Sequence, residues 1–310
     1  MKTIFFTLKP PQGSYGGGAF FVKNLSKFLI ENGYRVVYNL QIGIDLIIII
    51  DPRRDQYNRY SIDDIIKYKI ENPSVRIIHR VNECDIKRQR SIGIEKLLLQ
   101  AMRIADIVVF VSEWLRNYYL TKYTININSI AILNGVERKI FYKKNKPKND
   151  KIKLITHHWS NDWLKGFHIY NEIDKLLNKQ CDFEFIYIGN YNKSYIPKNI
   201  KLLPPRSGDE LGKMIRSCDI YITATQNEPG AMHYLEGMSC GLPVLYCSGG
   251  GGAREICKFG GEEYTDIPSL LKKIDVIKNN YISYQNKIPY EKLESKRCCN
   301  DYYKVIKKLL

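Results

Sequence analysis

Residues 219–257 read DIYITATQNEPGAMHYLEGMSCGLPVLYCSGGGGAREIC, and this stretch contains a strand, a loop, a helix and a second strand in succession. The apolar run that ends near Thr223 predicts a buried strand, and a polar loop follows it. Because proline suits the first turn of a helix, the next helix is expected to begin around Pro229 and Gly230. Gly241 ends that helix before another apolar run begins. This order is typical of α/β proteins with parallel sheets.

The same alternation extends along the whole chain. Runs such as LIIII at residues 46–50 are continuously apolar, as expected for parallel strands that helices cover on both faces. We expect strands at residues 3–8, 35–40, 46–51, 75–78, 107–111, 130–133, 153–156, 183–188, 220–223 and 243–247. We expect helices at residues 19–31, 62–70, 92–105, 113–122, 166–178, 209–218, 231–240 and 268–278, and a terminal helix within residues 290–310.

One segment interrupts this alternation. Residues 138–150, RKIFYKKNKPKND, are polar and strongly basic, and they separate two series of strands and helices. A chain of 310 residues is long enough for two domains, each with its own core. We predict an N-terminal domain at residues 1–145, a C-terminal domain at residues 146–288 and a terminal helix within residues 289–310.

The chain is strongly basic, with 48 Lys and Arg residues against 32 Asp and Glu residues and a formal net charge of +16. Such a charge favours anionic partners, which include nucleic acid, an acidic lipid surface and phosphorylated substrates. Lysine is spread along the whole chain, however, so the charge can equally well reflect a compositional bias that has no role in binding. Composition alone therefore leaves the partner open.

Neither the cysteines nor the hydropathy indicates a secreted or membrane-spanning protein. The eight cysteines form no CxxC pair, which argues against a zinc site and against a disulfide framework. The longest aliphatic run is too short to cross a bilayer. The N-terminus, MKTIFFTLKPPQG, reads as a first strand and not as a signal peptide. We expect a cytoplasmic protein with no transmembrane segment.

Two glutamates flank the predicted helix start: Glu228 lies just before it, and Glu236 follows eight residues later. At a rise of about 1.5 Å per residue, a helix would separate the two carboxylates by about 12 Å along its axis. That distance is too long for an acid/base pair that shares a proton, but it suits two parts of one long polar ligand. Ligands of parallel α/β sheets bind at the carboxyl ends of the strands. The alternative is that both glutamates simply face solvent.

The segment Glu228-PGAMHYL-Glu236 resembles the E-x7-E signature of the retaining family-four glycosyltransferases, which have the GT-B fold. The flanking sequences SCDIYITAT, GMSCGLPVL and GGGGAREI resemble that family as well. Further elements follow the family's order: a glycine-rich turn at 15–19, IIHRVNECD at 77–85, ADIVVFVSEW at 105–114, ILNGVERKIF at 132–141 and the pair Lys165–Gly166. The resemblance covers nearly the whole chain. It implies an α/β protein of GT-B architecture, with two doubly wound Rossmann-like domains facing across a cleft and a last helix that crosses back to the first domain.

The resemblance also implies roles for particular residues. Glu228 would bind hydroxyls of the donor sugar, and Glu236 would bind the ribose of the nucleotide, both through charge-assisted hydrogen bonds. Lys165 would neutralise the leaving diphosphate, and His79 would lie near the reacting sugar. The implied catalytic residues are therefore Glu228, His79 and Lys165. The implied donor-binding residues are Gly16, Gly17, Gly18, Lys165, Glu228, Gly230, Ala231, Met232 and Glu236. For His79 the alternative is a structural histidine, and for the first three glycines it is a plain tight turn.

The chain departs from the family at one position, because Ser160 stands where an arginine usually precedes the lysine. Arg206 and Arg254 are candidate replacements for that second cation. A different glycosyltransferase fold uses an Asp-x-Asp pair to hold a divalent metal, and no such pair occurs here. We therefore expect an enzyme that needs neither a metal nor another cofactor besides its nucleotide-sugar co-substrate.

Together these observations predict a retaining, metal-independent glycosyltransferase that uses a UDP-, GDP- or ADP-linked sugar. The donor would bind to the C-terminal domain, and the acceptor, a glycan or glycolipid, would bind to the N-terminal domain. The basic charge is compatible with peripheral contact with an anionic membrane. Two alternatives stay open: a GT-B enzyme that glycosylates nucleic acid or another anionic polymer, and a non-catalytic relative that binds sugar nucleotides.

Overall fold

The computed structural model describes residues 1–11, 16–55, 59–88, 93–145, 151–177 and 182–310. These residues form two compact units: the first comprises Met1–Asn134 and Ser295–Leu310, and the second comprises Gly135–Glu294. The sequence predicted domain boundaries at 145/146 and 288/289. In the structure the second unit begins earlier and ends later, because the backbone N–H of Val136 donates to the carbonyl of Leu293 at 2.7 Å and joins the two ends of that unit.

Strands and helices alternate in both units. The strands are β1 (Thr3–Phe6), β2 (Arg35–Val37), β3 (Leu46–Ile49), β4 (Arg76–Val81), β5 (Ile107–Phe110), β6 (Ser129–Ala131), β7 (Ile152–His158), β8 (Phe183–Gly189), β9 (Lys201–Leu203), β10 (Ile220–Thr223), β11 (Val244–Cys247) and β12 (Gly261–Tyr264). The helices are α1 (Gly17–Glu31), α2 (Ile62–Glu71), α3 (Ile94–Ile104), α4 (Glu113–Tyr123), α5 (Phe167–Leu177), α6 (Gly208–Arg216), α7 (His233–Ser239), α8 (Ala253–Cys257), α9 (Ile267–Asn279), α10 (Tyr281–Lys287) and α11 (Ser295–Leu309).

The sheet of the first unit is parallel throughout, in the order β2-β1-β3-β4-β5-β6. Every residue of β1 and β3 is buried, because helices cover both faces of the sheet. Side chains that alternate along these strands reach opposite faces. Ile4 and Phe6 pack in the cluster that contains residues of α1 and α11, whereas Phe5 packs in the cluster with α2. The apolar runs of the sequence therefore form the centre of the unit.

The sheet of the second unit is also parallel, in the order β12-β11-β10-β7-β8-β9. Its first and fourth strands, β7 and β10, are neighbours, so the order of strands reverses between them. The connections after these two strands lead to opposite sides of the sheet, and ligands of such folds bind beside the carboxyl ends of the strands at this switch point. In the first unit the corresponding switch point lies between β1 and β3.

The predicted fold class is confirmed: the protein is an α/β protein with two parallel, doubly wound sheets. The sequence did not predict the edge strands β9 and β12 or the helices α8 and α10. All of these elements have seven residues or fewer. The described cysteines are buried and form no disulfide with one another.

Among the described residues, no helix combines the length and the apolar character that crossing a membrane requires.

Candidate active site

Lys165 and Glu228 form a close ion pair at the switch point of the second unit. Lys165 ends a single 3₁₀ turn that follows β7, and its Nζ lies 2.5 Å from Glu228 Oε2. Only 13% and 5% of the two side chains are exposed. The next residue, Gly166, has φ +99, and a Cβ there would lie 2.3 Å from the Cβ of Ala224. The glycine of the predicted Lys-Gly pair thus allows the turn that carries Lys165 to pack against the end of β10.

The glycine run after β11 supports the backbone of Glu228. The N–H of Gly252 donates to the Glu228 carbonyl at 2.8 Å, and the N–H of Asn227 donates to the Gly249 carbonyl at 2.9 Å. A Cβ on Gly251 would come within 2.5 Å of the Glu228 carbonyl oxygen. Sequence reasoning treated this run only as part of a family signature, whereas its close packing fixes where Glu228 stands.

The expected helix start at Pro229 and Gly230 is wrong, because α7 begins at His233. The chain before it is a loop, and the glycine run holds the backbone of this loop at Asn227 and Glu228. Glu228 therefore precedes the helix in a loop, and Glu236 lies in its first turn. The distance of about 12 Å, which assumed a continuous helix, does not apply. Gly230, Ala231 and Met232 lie in the same connecting loop.

Glu236 is held by a chain of hydrogen bonds from the end of β7. Its Oε2 lies 2.6 Å from His157 Nε2, and the side chains of Glu236 and His157 are 16% and 12% exposed. His157 Nδ1 lies 3.0 Å from the hydroxyl of Tyr221, which is fully buried in β10. The same hydroxyl accepts a hydrogen bond from the backbone N–H of His157 at 3.1 Å. The sequence did not indicate this pairing, because His157 and Glu236 are 79 positions apart.

Two further histidines lie beneath this chain. The His158 ring meets the His233 ring with centroids 4.7 Å apart, and His158 Nε2 lies 2.9 Å from the hydroxyl of Tyr170. Burial lowers the pKa of His158 well below its usual range, and the nearby His233 lowers it further. The described residues contain no group of three or more His, Cys, Asp or Glu side chains that could hold a metal ion.

His79 lies in the first unit, in the middle of the sheet. It pairs with Ile49 of β3 and Val108 of β5, and its side chain is fully buried. Neither ring nitrogen makes a hydrogen bond of standard geometry to a described residue. Burial lowers the pKa of His79 to about 4, although the Ile49 backbone opposes this shift, so the ring is neutral at pH 7. Its proposed place near a reacting sugar stays a prediction.

The glycine-rich turn leads into α1 beside the switch point of the first unit. Gly16 is the N-cap of α1, and Gly17 and Gly18 begin the helix. Because Gly16 has no side chain, it supplies no side-chain cap to this helix start. A Cβ on Gly18 would meet only Ile50 Cγ2, at 4.0 Å. Tyr15, at the start of the predicted turn, lies outside the described residues.

The two candidate replacements for the missing arginine both pair with acids. Arg206 Nε lies 2.6 Å from Glu210, and Arg254 Nε lies 3.7 Å from Glu263. Arg254 lies in α8, close after the glycine run that supports Glu228, and 72% of its side chain is exposed. It can therefore change partner at a smaller cost than a buried arginine could.

Relatives of known sequence point to one family. The sequence profile described as "Glycosyl transferases group 1" matches residues 137–292. An uncharacterized glycosyltransferase of Methanocaldococcus jannaschii is 25% identical over 252 residues, which is 74% of this chain. The chain spans 65% of that relative's length, slightly less than two thirds.

Solved structures agree on the fold. Sucrose-phosphate synthase from Thermosynechococcus elongatus has a TM-score of 0.74 at 12% identity, covering 100% of this chain and 99% of that one. HepE of Anabaena in complex with UDP has a TM-score of 0.75 at 15% identity, covering 99% of this chain and 100% of that one. At such low identity the likeness concerns the fold alone, and it confirms the expected GT-B class.

Proposed function

Because the chain belongs to the group 1 glycosyl transferases, we propose that it transfers a sugar from a nucleoside-diphosphate donor to an acceptor hydroxyl, with retention at the anomeric carbon. The second unit binds the donor, and the first unit binds the acceptor, a glycan or glycolipid. Glu228 and Lys165 act on the reacting part of the donor, and Glu236 binds the nucleotide ribose.

The close contact between Lys165 and Glu228 is the observation that carries this proposal. In a sugar nucleotide the anomeric carbon is bonded directly to a diphosphate oxygen. A residue that binds the sugar and a residue that binds the diphosphate must therefore be neighbours. An ammonium group 2.5 Å from a carboxylate, at the switch point of a parallel sheet, meets this requirement. The structurally similar HepE was solved in complex with UDP, which supports a nucleotide as a ligand of this fold.

In the proposed reaction the bond between the anomeric carbon and the diphosphate oxygen breaks. The acceptor oxygen forms a new bond to that carbon on the same face, and its proton passes to the departing diphosphate oxygen. Negative charge grows on the leaving group, so the Lys165 ammonium stabilises the transition state more than the ground state. Glu228 holds the sugar hydroxyls during this step. Gly230, Ala231 and Met232 offer backbone N–H groups to the sugar and the diphosphate.

The surroundings of Arg53 favour a neutral acceptor over nucleic acid or another polyanion. This residue lies just beyond β3, at the switch point of the first unit, and makes two side-chain hydrogen bonds to Asp51, at 2.5 and 2.9 Å. The hydrogen bond to Asp51 raises the pKa of Arg53, and the charges of Glu83 and Asp55 raise it further. Asp51 thus holds this guanidinium, and Glu83 lies 3.8 Å from Lys87, so the charges at this edge pair with one another. This edge of the first unit can therefore bind a glycan hydroxyl more readily than a phosphate, which would have to compete with Asp51 for the guanidinium.

The donor site is tested first by thermal stability with UDP, GDP and ADP sugars. A ligand at 100 times its dissociation constant should stabilise the protein by about 2.7 kcal/mol. Lys165→Ala and Glu228→Ala should each reduce transfer at least about 100-fold, since each removes an interaction with the reacting groups. Glu172→Ala, which breaks an exposed ion pair with Lys175 on α5, is the matched control and should leave transfer unchanged.

Removing one partner of a buried pair also destabilises the fold, so the double variant Lys165→Ala/Glu228→Ala is measured as well. It should melt at a higher temperature than either single variant and still lack transfer. If no sugar nucleotide changes the melting temperature of the wild type, the proposed donor site is wrong. Binding without any transfer or hydrolysis would favour the non-catalytic alternative.

Independence of metal is part of the proposal and is tested separately. Transfer should be unchanged in excess EDTA, because Lys165 supplies the positive charge that a divalent ion supplies elsewhere. A loss of transfer that Mg²⁺ or Mn²⁺ restores would overturn this part. Acceptor use that weakens steeply with added salt would favour an anionic polymer instead.

A further inference from the structure

We propose that His157 and Tyr221 position the ribose-binding carboxylate of Glu236, and that they determine how strongly this enzyme prefers ribonucleotides to 2′-deoxyribonucleotides. The inference rests on the proposed function, because it takes a nucleoside diphosphate as the ligand. It adds a positioning residue, His157, and a second residue behind it to the donor site.

The direction of the hydrogen-bond chain follows from its donors and acceptors. The backbone N–H of His157 can only donate, so the hydroxyl oxygen of Tyr221 accepts that bond at 3.1 Å. Burial raises the pKa of Tyr221 well above its usual range, and the phenol therefore keeps its proton. That proton is available to His157 Nδ1, 3.0 Å away. When Nδ1 accepts this hydrogen bond, the ring hydrogen lies on the other nitrogen, Nε2, which donates to Glu236 Oε2 at 2.6 Å.

This arrangement uses one oxygen of Glu236 and orients the other. A carboxylate on a helix has several rotamers, and only some of them present an oxygen to a ligand. The bond from His157 selects one of these rotamers before the ligand arrives. The other carboxylate oxygen then faces the ligand, where it can accept hydrogen bonds from the hydroxyls of a ribose. Preorganisation of this kind increases affinity by lowering the entropy lost on binding.

A glycine next to Glu236 makes room for the chain. A Cβ on Gly237 would lie 2.4 Å from the ring of Tyr221. Any other residue at 237 would push α7 away from β10 and would separate Glu236 from His157. The pair Glu236–Gly237 is therefore the sequence signal of this arrangement, and it becomes recognisable only when the position of Tyr221 is known.

The experiment measures dissociation constants of UDP, GDP and ADP and of their 2′-deoxy counterparts, using the full chain. The wild type should prefer the ribonucleotide by about tenfold, which corresponds to one hydrogen bond to a charged group. Glu236→Ala, Tyr221→Phe and His157→Leu should lower this preference to about threefold or less. His157→Gln, whose side-chain amide can still donate to Glu236, should retain most of it. His168→Asn, at an exposed histidine on α5, is the control and should keep the full preference.

A purely structural role of His157 would change the melting temperature without changing this ratio, so both are measured for every variant. Tyr221→Phe keeps the buried ring and should fold like the wild type. A lower preference for ribonucleotides in this variant would therefore not result from misfolding. If Glu236→Ala loses the preference while His157→Leu and Tyr221→Phe keep it, the inference is wrong and the proposed function stands. If Glu236→Ala keeps the preference, the role of Glu236 itself is wrong. If the wild type binds none of the diphosphates, the proposed function fails together with the inference.

Discussion

Single residues in this protein show how partners decide the charge of a buried group. Burial raises the pKa of Glu95, but hydrogen bonds from Lys122 and from two tyrosines outweigh that effect, so the pKa of this carboxyl is lowered overall. His79 is also buried, yet its ring nitrogens make no hydrogen bond of standard geometry to a described residue, and burial lowers its pKa to about 4. A buried acid with several hydrogen-bond donors thus keeps its charge, whereas a buried base without a well-placed acceptor loses it.

The pKa of His79 predicts a pH dependence of stability. Between the usual value of 6.5 and about 4, the unfolded chain binds a proton at His79 and the folded chain does not. The contribution of His79 to the free energy of unfolding should therefore fall by about 3 kcal/mol as the pH falls through this window. Above pH 6.5 this contribution should stay constant. Urea unfolding of the wild type and of His79→Asn from pH 4 to pH 8 measures the effect.

The variant should show the shallower pH dependence. Lys304→Ala, on the exposed side of α11, serves as the control, and its curve should run close to that of the wild type. Equal slopes for the wild type and His79→Asn would mean that His79 takes up a proton in the folded protein at its ordinary pKa.

Among whole elements, the inner strands followed directly from the sequence, whereas two edge strands of the second sheet, β9 and β12, did not. The strand predicted at 220–223 is β10 with the same bounds, because a strand with helices on both faces is apolar throughout. The edge strand β12 reads GEEY and is only partly buried, so its hydropathy resembles that of a loop. The start of α7 was misplaced for another reason: the glycine run holds the preceding loop, and this contact joins segments that are distant in sequence.

Two glycines next to the proposed ligand positions should respond oppositely to substitution by alanine. Gly237→Ala would place a Cβ 2.4 Å from the Tyr221 ring and should lower the free energy of unfolding by about 1–3 kcal/mol. Gly18→Ala has open space, with its nearest contact at 4.0 Å, and should leave stability unchanged or raise it by up to about 1 kcal/mol. Urea unfolding of both variants checks these signs.

The same pair tests whether the first glycine turn approaches a ligand. If it does, Gly18→Ala should reduce transfer although its stability is not reduced. Full transfer by a stable Gly18→Ala protein would leave the plain tight turn as the better interpretation of Gly16, Gly17 and Gly18.

At the scale of the whole molecule, the last helix completes the core of the first unit. The Tyr302 side chain of α11 is buried, and its ring centroid lies 4.7 Å from that of Phe21 in α1. The guanidinium of Arg80, which is also buried, lies 4.4 Å from the centroid of the same Phe21 ring and donates to Asn134 at 3.0 Å. The unit is therefore built from two segments that are separated by the entire second unit.

This organisation predicts a local effect of Tyr302→Ala. The substitution should destabilise the first unit by about 3–5 kcal/mol, because it leaves a cavity between α1 and α11. Hydrogen exchange should become faster in α1 and β1 and stay unchanged in α5 and β8. Lys304→Ala, on the exposed side of α11, is the control. Equal acceleration in both units would mean that they unfold together.

The sequence by itself determined the alternation of strands and helices, the pair of parallel sheets and the residues that carry the family resemblance, because each of these depends on neighbours along the chain. Only the tertiary structure decided which of those residues meet. Lys165 and Glu228 are 63 positions apart, and His157 and Glu236 are 79 apart. Their contacts require close packing of β7, β10 and α7 and of the glycine run. Such packing depends on the shapes of distant segments, which no local pattern of residues reveals.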